Sequence, residues 1–237
     1  MKEAYLEALL AARSEKREAV MLTDLASGAE TLLIDGKGKG ELEIDDRLDA
    51  AIADAVRRNE SKLFETENGG RIFIQVLTPP LRLAIVGAGH ISQYLSQIAA
   101  MVNFDVTVID PRTTYASEAR FPGAKLSHEW PDTALEGFEL DHRSAVVALS
   151  HDPKLDEPAL ATALRSDAFY VGALGSRKTQ GLRRERMKAE GFTDAELDRI
   201  RGPVGLDIGA LSPAEIAVSI TAEMIDVLRP DKKGYTR

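Results

Sequence analysis

Leu81-Arg-Leu-Ala-Ile-Val-Gly87-Ala-Gly89-His-Ile-Ser92, an apolar helical pattern, and then Asp105-Val-Thr-Val-Ile-Asp110 make up the stretch whose reading decides the fold. The run from Leu81 to Val86 is short, β-rich and preceded by Pro79-Pro80, which predicts a buried parallel strand. Gly87 permits a tight turn, and Gly89 lets a phosphate come close to the backbone. A helix beginning near His90 or Ile91 points its first N–H groups at that phosphate. A second strand, Val106 to Ile109, ends at Asp110, 21 residues after Gly89, where an acid can accept hydrogen bonds from a ribose diol. Ser92 stands where the dinucleotide fingerprint has a third glycine, so slightly looser helix–strand packing is expected there.

Working outward, the first eighty residues read as a small α+β domain, 1–79, with a boundary at the stiff Thr78-Pro-Pro80 linker and a Rossmann-like domain over 80–237. A helix is predicted over 2–16, a hairpin from Ala19–Leu25 and Glu30–Asp35, and a flexible loop at Gly36-Lys-Gly-Lys-Gly40. A helix from Asp45 to Asn59 and a second hairpin, Lys62–Thr66 with Arg71–Leu77 around Asn68-Gly-Gly70, complete the domain. Beyond Asp110, strands are expected at Ala124–Ser127, Ser144–Leu149 and Ala168–Val171. Helices are expected at Asp132–Phe138, Leu155–Arg165, from Arg177 to about Glu190, from the Thr193–Glu196 capping box to Arg201, and from the Ser212–Glu215 capping box to Leu228 with a stop at Pro230. The tail from Asp231 is expected to fray. Strands alternating with helices imply an α/β, doubly wound parallel sheet, whose ligands sit outside the carboxyl ends of the strands.

Composition narrows the function. A net charge of -8 opposes binding to duplex nucleic acid, which calls for a basic face. The chain has no cysteine, which removes disulfides, thiolate metal sites and cysteine nucleophiles. No His cluster or metal-ligand motif is present, so no dedicated metal site is expected. The absence of a long apolar run predicts a cytoplasmic protein that does not engage membranes.

Four loops follow strands and should gather at one rim: Gly87–Ser92, Asp110–Arg112, Ser150–Asp152 and Gly172–Arg177. Gly87, Gly89, His90 and Ile91 form the phosphate turn, with the His90 ring able to touch a ligand. Arg112 can reach a phosphate. Ser150, His151 and Asp152 are too close in sequence to relay a proton as a triad. His151 alone is the candidate acid–base group, and Asp152 before Pro153 reads as a helix N-cap as well as a possible contact. Gly175-Ser176-Arg177 offers N–H groups, a hydroxyl and a guanidinium to an anion. Asp207 sits in a loop with more glycine than a plain connector needs. Lys178, Arg183, Arg184, Arg186 and Lys188 read as a solvated helix face.

The residues from Leu81 to Leu228 closely resemble the C-terminal domain of the XdhC/CoxI family, accessory factors of xanthine dehydrogenase and carbon monoxide dehydrogenase. The matching pieces are Ala84-Ile-Val-Gly-Ala-Gly-His90, Val108-Ile-Asp-Pro-Arg112, Leu149-Ser-His-Asp-Pro-Lys-Leu-Asp156, Tyr170-Val-Gly-Ala-Leu-Gly-Ser-Arg177 and the segment from Pro203 to Ile220. The resemblance implies a Rossmann domain that binds molybdenum cofactor (molybdopterin). It also implies that the protein promotes the cofactor's sulfuration with a cysteine desulfurase, helps insert it into a molybdenum hydroxylase, and forms a homodimer. The strand-edge loops would then hold the pterin's phosphate or a nucleotide. The first eighty residues lack the family's Gly-Ser-x-Pro-Arg and Gly-Gly-Cys-Val-Glu stretches. Two rival readings follow from the residues alone. One is an oxidoreductase using an NAD-type dinucleotide, with Asp110 on the ribose and His151 as proton donor. The other is a Rossmann scaffold without turnover.

Overall fold

A computed structural model describes residues 3–15 and 17–229. The expected limits of the first helix at Lys2 and Lys16, the stop at Pro230 and the tail from Asp231 lie outside the described residues. The chain divides into two compact units, Met1–Pro79 and Pro80–Arg237.

The first unit runs α1 (Glu3–Ser14), β1 (Ala19–Asp24), β2 (Glu30–Ile34), β3 (Lys37–Gly40), α2 (Asp46–Arg58), β4 (Lys62–Glu65) and β5 (Arg71–Val76). Its strands form one antiparallel sheet in the order β3-β2-β1-β5-β4. The side chain of Asp45 accepts the Leu48 N–H to start α2, and Asn59, in the left-handed region, ends it. The apolar stripe of α2, Leu48, Ile52, Ala55 and Val56, closes a core against Val20, Leu22, Leu33, Ile72 and Ile74. The glycine–lysine segment expected as a loop is instead edge strand β3. Asp35 and Gly36 both have positive φ, the conformation of a two-residue hairpin turn, and that turn folds Lys37–Gly40 back onto β2.

The second unit runs β6 (Leu81–Val86), α3 (His90–Met101), β7 (Phe104–Ile109), β8 (Lys125–Ser127), α4 (Pro131–Phe138), β9 (Ser144–Ala148) and α5 (Pro153–Leu164). It continues with β10 (Tyr170–Ala173), α6 (Arg177–Ala189), α7 (Asp194–Leu197), β11 (Ile200–Arg201) and α8 (Pro213–Leu228). Six parallel strands lie in the order β11-β10-β9-β6-β7-β8. Both faces are covered, which is why β6 is apolar without alternation from Leu83 to Val86. Leu83 and Ile85 join the core under α3 and α8 with Leu95, Ala99, Ile220 and Met224. Ala84 and Val86 join the opposite core with Leu135, Leu155, Leu160 and Met187.

Two elements differ from the expectation. The helix opened by the Thr193 capping box stops at Leu197, and Ile200–Arg201 becomes a sixth strand against β10. β10 extends through Gly172 and Ala173, so Gly172 is not a loop glycine. It is a packing glycine, because a Cβ there would stand 2.7 Å from Val204 Cγ2. The chain leaves β6 toward β7 and β8, then returns to the other side at β9. The switch point of the sheet therefore lies between the carboxyl ends of β6 and β9.

Candidate functional site

The two turns at the switch point touch. Gly87 has φ +95°, and a Cβ on it would lie 2.6 Å from Ser150 Cα and 2.7 Å from Ser150 N. Only glycine fits this close backbone crossing. Ser92 does not loosen the turn, as the lost third glycine had suggested. It is fully buried, and its hydroxyl donates to the Gly87 carbonyl at 2.5 Å. Gly89 caps α3 in an extended conformation with no side-chain bond. The first-turn N–H groups, those of His90 and Ile91 among them, have no carbonyl one turn back and point at the rim. His90 is exposed, and Ile91 packs partly against the core.

Asp110 is at the tip of β7 but is not open to a ribose. It is fully buried, and four donors fill its carboxylate. Oδ1 accepts the Arg112 N–H at 3.0 Å and Arg112 Nε at 2.9 Å. Oδ2 accepts the Ala88 N–H and Arg112 Nη2, both at 2.8 Å. Burial works against the charge, yet the Arg112 fork and the two backbone N–H groups outweigh it and hold the carboxyl below its ordinary range. The guanidinium of Arg112 stacks 4.6 Å from the Tyr115 ring centroid.

The loop after β9 is built on a residue the sequence reading passed over. Asp156, in the first turn of α5, is buried, and its Oδ1 takes the Ser150 hydroxyl at 2.6 Å and the Ser150 N–H at 3.1 Å. Ser150 Oγ in turn receives the Asp152 N–H at 3.0 Å, and the Asp152 side chain accepts the Lys154 N–H as the N-cap of α5. Ser150 and Asp152 therefore use their side chains in bonds that shape the loop. His151, between them, is exposed and has φ +62°, a conformation costly for a residue with a side chain.

At the tip of β10, Gly175 has φ +133°, and Ser176 caps α6 by accepting the Thr179 N–H at 3.2 Å. Arg177 opens that helix and is exposed. The strand it follows, β10, lies two strand spacings from β6, roughly 10 Å. Asp207 stands exposed in its loop, while Gly205 beside it donates to Glu223 Oε2 at 2.9 Å and packs on α8.

Four of the five basic side chains expected as a solvated face of α6 are paired. Arg183 is buried, with Nη2 3.5 Å from Asp156 Oδ2 and 3.1 Å from the Leu174 carbonyl. Arg186 pairs with Glu157, and Arg184 and Lys188 both pair with Asp194. Burial pushes the Asp156 carboxyl up against the pull of Ser150 and Arg183, and burial pulls the Arg183 guanidinium down.

The XdhC Rossmann domain matches residues 83–224. The chain belongs to that family. A probable xanthine dehydrogenase subunit of Bacillus subtilis (strain 168) is 34% identical over 156 residues, covering 65% of this chain and 45% of the relative. The molybdenum cofactor insertion chaperone PaoD of Escherichia coli (strain K12) is 30% identical over 149 residues, covering 63% of this chain and 41% of the relative. The chain thus spans less than half the length of these curated relatives. A crystal structure of a xanthine dehydrogenase from Bacillus halodurans superposes with a TM-score of 0.73 at 24% identity, over 96% of this chain and 67% of that one, a likeness of fold.

The matched span of this XdhC domain takes in the Gly87 turn, Asp110 with Arg112, the Ser150 loop, Gly175–Arg177 and the loop before α8. Asp156 and Arg183 lie within it too. One signal in the sequence pointed to Asp156: an acid in the first turn of a helix, six residues after a serine that ends a strand. Nothing in the sequence pointed to Arg183.

Proposed function

We propose that this chain is an accessory factor that holds molybdenum cofactor at the carboxyl rim of its parallel sheet. It assists the cofactor's sulfuration and hands it to a molybdenum hydroxylase of the xanthine dehydrogenase kind. The observation that carries the reading is the contact of the Gly87 turn with the Ser150 loop. That contact sets the N-terminus of α3 beside the end of β9, and Asp110, shared between the Ala88 N–H and Arg112, holds the guanidinium at the same turn, in a domain matched by a relative named as a molybdenum cofactor insertion chaperone. The cofactor is cargo here. Its phosphate would meet the N–H groups of His90 and Ile91, and Arg112 would balance its charge. Arg177 would supply a second cation farther along the rim. Having no cysteine, this chain cannot carry a persulfide, so the sulfur would come from a partner desulfurase. His151, exposed in the loop after β9, would contact the cargo and need perform no turnover.

The test is retention of the cargo. Protein made in a molybdopterin-producing host and oxidised after purification should release the fluorescent pterin product near stoichiometrically, and Gly89→Asp should lose most of it. Release no greater than from an unrelated protein, or equal release from Gly89→Asp, would overturn the reading.

A further inference from the structure

Rossmann domains that bind dinucleotides use an acid at the end of the second strand to take the ribose hydroxyls. Asp110 has that place in the sequence but not that freedom in the fold. A carboxylate offers about four lone-pair positions, and all four are taken, two of them by the planar edge of Arg112 formed by Nε and Nη2. The pair is held in place from several sides. Asp110 is wholly buried, the Ala88 N–H shares Oδ2 with Arg112, the Tyr115 ring covers the guanidinium, and Asp152 lies close enough to add to its charge stabilisation. A ribose could reach Asp110 only by driving Arg112 out. It would replace a charge-assisted fork with neutral hydroxyl donors, a poorer partner for a buried carboxylate. Meanwhile Nη1, on the edge of the guanidinium away from the carboxylate, is the donor left for an anion.

We propose that Arg112, clamped on Asp110, is the specificity-determining residue of the rim: it closes the ribose-diol seat and leaves a seat for a phosphoryl group alone. This rests on the rim being the cargo site and sharpens it, because the cargo class becomes a phosphomonoester carried without a recognised ribose. The NAD-dependent reading loses its ribose anchor on the same ground.

The experiment compares ADP with 2′-deoxyADP by titration calorimetry on the full chain. Wild-type protein should bind the two within about twofold of each other, or bind neither measurably, because the 2′-hydroxyl finds no acceptor. Arg112→Ala frees Asp110 and should bind ADP about tenfold or more tightly than 2′-deoxyADP, as sites built to bond a hydroxyl do. Arg112→Lys serves if the alanine variant does not fold. One ammonium cannot span both oxygens, so a preference of severalfold for ADP should emerge. A tenfold preference for ADP in the wild type overturns the inference, as does a folded Arg112 variant without any new preference. Pterin retention, measured on the same wild-type preparation, reads the cargo assignment separately, so the two can fail independently.

Discussion

Asp156 and Arg183 are a pair that neither residue type alone would announce. Among the described residues, Asp156 Oδ2 and Arg183 Nε are the buried side-chain polar atoms without a hydrogen-bond partner, and the two groups meet at 3.5 Å. An ion pair so enclosed contributes little net stability, but removing one member leaves the other charge uncompensated. Arg183→Met should therefore cost about 3–5 kcal/mol at neutral pH. The pH dependence has a definite sign. Burial already raises the Asp156 carboxyl, and the variant raises it further. A raised acid weakens the fold above its folded value, and the loss shrinks as pH falls through that value toward the ordinary 3.8. Urea unfolding at pH 7 and pH 5 should show a smaller difference between variant and wild type at pH 5. An equal or larger difference at pH 5 would mean that Asp156 is not the group left uncompensated. At this scale the sequence was only partly legible. The spacing from Gly89 located Asp110, and the proline after Asp152 marked the N-cap. What Asp110 bonds depends on where Arg112 and the Ala88 N–H come to rest, and no spacing rule encodes that. Arg183 read as solvated because its neighbours Arg184 and Arg186 are surface residues, and the helix turns it alone toward Asp156.

Elements with an uninterrupted apolar pattern or an explicit cap were readable. The Ser212 box is present as expected, with Glu215 N–H on Ser212 Oγ at 3.3 Å and Ser212 N–H on Glu215 Oε2 at 2.8 Å. β3 and β11 were not readable, because an edge strand of glycine and lysine and a strand of two residues exist only through the partner that pairs with them. The same distinction separates the glycines. Gly181 lies exposed inside α6, and a Cβ added to it would meet nothing within 4 Å, so it weakens the helix without serving the fold. Gly181→Ala should stabilise by about 0.5–1 kcal/mol. Gly87→Ala should destabilise by about 2–4 kcal/mol, since it meets both the positive φ and the Ser150 backbone. Thermal unfolding of the two variants against wild type would check the pair, and a stabilised Gly87→Ala would mean that the β6 and β9 turns do not cross as closely as described.

At the scale of the whole chain, the proline pair at Pro79-Pro80 is the feature that proposes a boundary, and each unit closes a core of its own. In the first, one helix covers the larger cluster, and Tyr5, Met21 and Leu32 form a smaller one. In the second, both faces of the parallel sheet are packed by helices. A unit of about 160 residues buries enough apolar surface to fold alone, whereas one of about 80 is close to the margin. We therefore expect a polypeptide of residues 80–237 to fold unaided. The chain's single tryptophan, Trp130, sits in this unit at the start of α4, so its fluorescence reports that unit even within the intact chain. The Trp130-detected urea transition should be cooperative in the shortened polypeptide and keep its midpoint within experimental scatter. Far-ultraviolet circular dichroism of the intact chain should show an additional, earlier transition from residues 1–79. A shortened polypeptide that aggregates, or melts at markedly lower urea, would show that the parallel sheet needs the first unit for its stability and would move the boundary.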